Sequence, residues 1–140
     1  MTYPAHIQDI IDDFSFMDDW EDRYTHVIDL GKDLAPLSAD ERNETTRVNG
    51  CVSQVWLVKD VDEDKQGRLF YRGDSDAHIV KGLVAIMIQI FSGQTAASIL
   101  NTDINAIMDK LGLAEHLSSQ RSNGLKAMIA RIEHDARELS

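Results

Sequence analysis

The sequence predicts an α+β fold: one domain over residues 1–140, with a small antiparallel sheet packed against helices. Three observations carry this. Apolar residues recur at helical spacing through the opening segment, two β-rich runs flank an acidic turn near the middle, and helical patterning returns from residue 77 onward. A chain of 140 residues is the usual size of one domain with one core.

Ile7, Ile10, Ile11, Phe14 and Met17 define a first amphipathic helix, and Trp20, Tyr24, Val27, Ile28 and Leu34 a second. Asp18 and Glu21 have the spacing of a capping box for the second helix, while Gly31 and Pro36 mark where it frays and stops. Ser38 with Glu41 caps one further turn. Arg42 to Gly50 is polar and aperiodic, an irregular loop that delivers Cys51.

Val52–Val58 and Arg68–Tyr71 are rich in β-branched and aromatic residues, and the turn-forming stretch 60–67 joins them into a hairpin. Ser75 or Asp76 caps a very apolar helix over residues 77–92, which Gly93 ends. Thr95 and Thr102 are cap residues for two short helices, the second closing at Leu111-Gly112. A long helix opened by Ser118 or Ser119 presents Leu125, Met128, Ile129, Ile132, Ala136 and Leu139 on one face. The expected core is the 77–92 helix, packed by Trp20, Trp56, Leu69 and that last face.

Composition narrows the chemistry. Asp and Glu outnumber Lys and Arg by 24 to 14, a formal charge of −10, with no basic run, so nucleic acid is disfavoured as a partner. The apolar stretch 79–91 is too short and too interrupted by Lys81 and Gln89 for a membrane span. The first residues carry no basic or apolar leader pattern, which with a lone cysteine predicts a cytoplasmic protein. One cysteine excludes an internal disulfide and a self-sufficient Cys₄ metal or cluster site. Asp60, Asp62 and Asp64 imitate a calcium loop, yet Lys65 replaces its glycine and Tyr71 its closing glutamate. The five histidines show no ligand spacing. Neither a metal nor a cofactor is expected.

Three segments in shared order resemble the SufE family of sulfur acceptors: Val48-Asn49-Gly50-Cys51-Val52-Ser53-Gln54-Val55-Trp56, Gly73-Asp74-Ser75-Asp76-Ala77 with Ile79-Val80-Lys81-Gly82-Leu83, and Leu117-Ser118-Ser119-Gln120-Arg121-Ser122-Asn123-Gly124-Leu125. With a matching helical start near Trp20, the similarity runs from about residue 10 to the C-terminus. The resemblance implies a compact fold shared with the scaffold protein IscU. It also implies a pyridoxal-phosphate cysteine desulfurase of the SufS or CsdA type as partner, and iron–sulfur scaffold proteins downstream. The cysteine of the Gly-Cys-x-Ser motif, Cys51 here, becomes the persulfide carrier. Val52 departs from the pattern, in which a polar residue follows the cysteine.

The same resemblance places Arg121 close to the cysteine loop, as a cation that favours the thiolate or persulfide. Asp74 is expected to support that loop, and Asp76 or Ser75 to serve the first amides of the central helix. Two rival readings remain at this level. One is a hydrolase with Cys51 as nucleophile and His78 or His116 as base, although neither histidine lies in a motif with an orienting Asn or Asp. The other is a non-chemical activator of the desulfurase.

Overall fold

The computed structural model describes residues 3–50, 53–62 and 67–139. Among these, six α-helices accompany a three-stranded antiparallel sheet in one domain, and the α+β order is as the sequence predicts. Helix α1 (Ala5–Ser15) starts behind Pro4, whose carbonyl accepts from the amides of Ile7 and Gln8. It buries Ile7, Ile10, Ile11 and Phe14.

Helix α2 (Trp20–Lys32) starts one residue later than the expected capping box requires. Asp19 occupies the N-cap, so Asp18 cannot pair reciprocally with Glu21. Arg23 holds this corner instead, donating from Nε to the Met17 carbonyl (2.9 Å) and from Nη1 to the Leu111 carbonyl (3.1 Å). Gly31 does not fray the helix. It lies inside α2 and is buried against Gly82 of helix α3 (His78–Phe91); a Cβ at Gly31 would stand 2.7 Å from the Gly82 nitrogen, and one at Gly82 would collide with the Val27 carbonyl oxygen. The two glycines let the helix backbones approach closer than any side chain permits.

The hairpin lies further along the chain than the sequence pattern indicates. Strand β1 is Val55–Asp62 and strand β2 is Arg68–Ser75, paired from Val55↔Ser75 to Asp62↔Arg68. Val55, Leu57, Leu69 and Tyr71 point inward and are buried. Trp56 faces the other way and is half-buried beneath the Arg42 guanidinium, 5.6 Å from the ring centroid. It is therefore not part of the packing around α3. Trp20 packs at the rim of the core, half-buried, with its ring stacked on that of His116 at 4.4 Å.

After α3, Gly93 turns the chain with φ +81° and donates its amide to the Leu69 carbonyl. A two-residue strand β3 (Gln94–Thr95) follows and pairs with β2. Thr95 also caps helix α4 (Ala96–Leu100) by accepting from the Ser98 amide. Asp103, not Thr102, caps helix α5 (Ile104–Leu111), which ends at left-handed Gly112; the Thr102 hydroxyl is engaged with the Ser98 carbonyl. Helix α6 (Ser119–Leu139) opens with the Ser118 hydroxyl accepting from the Arg121 amide and buries Leu125, Met128, Ile132 and Ala136. Among the described residues no helix is long and apolar enough to cross a membrane.

Candidate functional site around the cysteine connection

Cys51 and Val52 lie outside the described residues, so the candidate site is built from the chain on either side of them. The upstream side is a loop of turns and bends, as the sequence predicts, and it is ordered by its own hydrogen bonds. Asn43 Oδ1 accepts from the amides of Thr45 and Thr46, the Thr46 hydroxyl donates to the Glu41 carbonyl, and Ser38 and Glu41 exchange side-chain and backbone hydrogen bonds as predicted. These short-range bonds deliver residues 46–48 to the free edge of β1. There the Leu57 amide donates to the Thr46 carbonyl and the Val48 amide to the Val55 carbonyl, both at 2.8 Å, with Arg47 opposite Trp56. Residues 49–54 connect the paired segments, and Cys51 is the third of them.

Gly50 carries φ +97°, a conformation that favours glycine, and a Cβ there would press to 3.3 Å on the Ala127 Cβ of α6. Downstream, Gln54 is held at both backbone groups. Its amide donates to Asp76 Oδ1 (2.9 Å), and its carbonyl accepts from the Ser75 hydroxyl (2.7 Å) and the Asp76 amide (3.2 Å). The Asp76 carboxylate thus serves this turn rather than the central helix. Ala77 takes the N-cap of α3 with no side-chain cap, although the Ser75 hydroxyl accepts from the Ala77 amide at 3.3 Å.

Asp74 is 4% exposed. Its carboxylate faces Arg42 Nη2 at 3.1 Å and Lys81 Nζ at 3.4 Å, and accepts from the Ser75 amide at 2.8 Å. A buried carboxylate needs such compensation, because an unpaired one would carry the full cost of desolvation. Arg42 therefore joins three things: the polar loop, the outer face of β1 at Trp56, and the β2–α3 corner. Sequence reading missed Arg42 and Lys81, whose roles are defined only by meeting Asp74 in space.

Arg121 sits in the first turn of α6, half-buried, with no side-chain hydrogen bond or ion pair among the described residues. It is six residues before Ala127, about 9 Å along the helix and roughly 120° around it. Besides Ala127, the α6 side chain Arg131 reaches the described upstream flank, where its guanidinium donates to the carbonyls of Thr45 and Arg47. Behind it lies Asp135, 7% exposed, with Lys59 Nζ at 3.6 Å and the Tyr71 hydroxyl donating to Oδ2 at 3.0 Å.

Burial, reinforced by the Asp135 charge, holds the Tyr71 phenol far above its ordinary range. Its raised folded-state pKa contributes stability that is fully present below the free phenol value of about 10 and is lost as pH rises beyond it. Tyr71→Phe is expected to lose about 1–3 kcal/mol at neutral pH, since Asp135 loses a donor, and to show a shallower decline above pH ~10. Urea unfolding at a series of pH values measures both; parallel curves for the two proteins would refute the assignment.

The two histidines considered as bases are poorly placed for that work. His116 is stacked on Trp20, His78 is an exposed first residue of α3, and neither has an orienting hydrogen bond among the described residues.

Comparison with known proteins agrees with the order of segments. The family model for SufE, described as an Fe-S metabolism associated domain, matches residues 8–136. An uncharacterized SufE-like protein of Rhizobium etli is 50% identical over 136 residues, covering 96% of this chain and 92% of the relative. Another, from Rhizobium meliloti, is 52% identical over 131 residues, covering 93% and 94%. The solution structure of a hypothetical protein from Thermus thermophilus superposes with a TM-score of 0.76 over 99% of this chain and 98% of that one. At 18% identity that likeness is one of fold.

Proposed function

The chain belongs to the SufE family, whose domain is associated with Fe–S metabolism, and we propose that it accepts sulfur on Cys51 from a pyridoxal-phosphate cysteine desulfurase and carries it to iron–sulfur scaffold proteins. The observation that supports this reading is the setting of the only cysteine. It falls in the six-residue connection 49–54, which is anchored on either side of the cysteine, at Gly50 against α6 and at Gln54 on the Ser75-Asp76 corner. A reactive group borne on a short connection between rigid elements is a common arrangement for transfer between proteins.

The transfer is a thiol exchange. Cys51 thiolate attacks the terminal sulfur of the desulfurase's cysteine persulfide, and a new S–S bond forms on Cys51 as the S–S bond of the donor breaks. The donor cysteine leaves as thiolate and the transferred sulfur keeps its proton, so no external oxidant or reductant is needed. The protein acts here as a persulfide carrier in a reducing cytoplasm and requires no cofactor of its own. Asp74, with Arg42 and Lys81, supports the corner to which the downstream flank is tied.

Intact mass after incubation with a partner desulfurase and L-cysteine tests the proposal. A gain of one sulfur, removed by reductant, is expected; an unchanged mass beside an active desulfurase would sink it. The attacking group must be a thiolate, and a free thiol with a pKa of about 8.5 is only a few per cent ionised at neutral pH. Arg121 is the proposed cation. Arg121→Ala should slow alkylation of Cys51 and sulfur uptake several-fold with the fold intact, and identical rates from pH 6 to 9 would remove Arg121 from the mechanism.

A further inference from the structure

We propose that Arg131 is a positioning residue, a clamp from α6 that holds the chain segment leading to Cys51; the functional meaning of the clamp rests on the acceptor reading above. Segment 45–48 meets the edge of β1 through one isolated antiparallel bridge, Arg47↔Trp56. Thr46 and Val48 direct their backbone groups toward β1, where they bond Leu57 and Val55. In an antiparallel pair the intervening residues direct theirs away. The outward carbonyls of Thr45 and Arg47 are exposed and free to take partners other than β1.

Arg131 supplies both. Its Nη2 donates to the Thr45 carbonyl at 2.5 Å and its Nη1 to the Arg47 carbonyl at 3.3 Å. The fixed fork of the guanidinium suits two carbonyls on one side of a strand, two residues apart. Ala127, one turn earlier on the same face of α6, is the residue against which Gly50 is packed. One stripe of α6 thus follows the chain from Thr45 to Gly50.

The clamp is itself braced. Asp135 Oδ1 lies 3.9 Å from Arg131 Nε, and the same carboxylate is held by Lys59 of β1 and Tyr71 of β2. Asp135 is buried, and the Arg131 side chain is 30% exposed. Helix, sheet and pre-cysteine segment are tied through one ionic cluster. Releasing the fork would free the 45–48 edge without disturbing the packing of α3.

Arg131→Ala, Arg131→Lys and a control on the same helix, Glu133→Ala, test this with two readouts. The first is amide hydrogen exchange at Val48 and Leu57, whose amides bond across the 46–48 edge, compared with Leu83 and Ile86 in α3. The second is the rate at which the single thiol reacts with a small disulfide reagent. Arg131→Ala is expected to exchange about five- to tenfold faster at Val48 and Leu57, with α3 unchanged, and to alter the thiol rate by a similar factor. Arg131→Lys, which keeps the charge and loses the fork, should fall between it and wild type, and Glu133→Ala should match wild type. If Arg131→Ala does not fold, Arg131→Lys carries the test alone.

Wild-type exchange at Val48 and Leu57 in a folded variant would overturn the clamp. So would acceleration spread evenly over α3, which marks a merely structural role, or a thiol rate equal to wild type. None of these readouts requires a desulfurase. A wild-type protein that takes up no sulfur would overturn the acceptor reading while the exchange data still decide the clamp.

Discussion

Cys51→Ser is expected to bind a partner desulfurase with near wild-type affinity and to take up no sulfur. The substitution nearly preserves size, and docking between proteins is spread over a surface far larger than one side chain. A serine hydroxyl, in contrast, is not ionised at neutral pH and cannot attack a persulfide, so uptake should fall by roughly 100-fold or more. Binding and chemistry then separate. The variant, added in excess, should inhibit stimulation of the desulfurase by the normal protein through competition. Titration calorimetry measures the affinity, and desulfurase turnover with each protein measures the stimulation. Substantial stimulation by Cys51→Ser would replace the carrier proposal with an allosteric activator.

Leu83→Ala and Ile86→Ala are each expected to lose about 2–5 kcal/mol of stability, through the lost burial of the side chain and the cavity left behind. Both side chains are 0% exposed on α3, between α2 on one side and β2 on the other. Against a total stability of about 5–15 kcal/mol this is a large fraction, so either variant should unfold at markedly lower urea concentration. Neither residue belongs to the described flanks of Cys51, and sulfur uptake per folded molecule should persist at low temperature. Unchanged unfolding midpoints for both variants would refute the assignment of α3 as the centre of the core.

The features legible in the sequence are those set by neighbours a few residues apart. The apolar run of α3, the Thr95 cap, the left-handed stop at Gly112 and the reciprocal Ser38–Glu41 bonds all depend on contacts within one turn or one element. The same locality made the lone cysteine and its glycine readable as a motif, with α+β order around it. Where two local solutions are nearly equivalent, the expected cap is off by a residue: Asp19 occupies the N-cap of α2 in place of Asp18, without a side-chain cap bond, and Asp103 caps α5 in place of Thr102.

Tertiary structure alone decided which face of a strand is inside and which partner a charged side chain takes. The run 52–58 has apolar residues at both parities, so periodicity could not show that Val55 and Leu57 face the core while Trp56 faces outward under Arg42. Strand β3 is two residues long, too short for any alternation, and exists because Gly93 turns it onto β2. Gly31 reads as a helix breaker from its own propensity, yet it is kept inside α2 by the close approach of Gly82, fifty-one residues away. The charged groups follow the same rule. Asp74 meets Arg42 across 32 positions, Asp76 reaches Gln54 across 22, and Arg131 holds Thr45 across 86. A carboxylate or guanidinium can satisfy its charge with any of several partners, and the one it takes is fixed by which segments the packed backbone brings within about 3 Å.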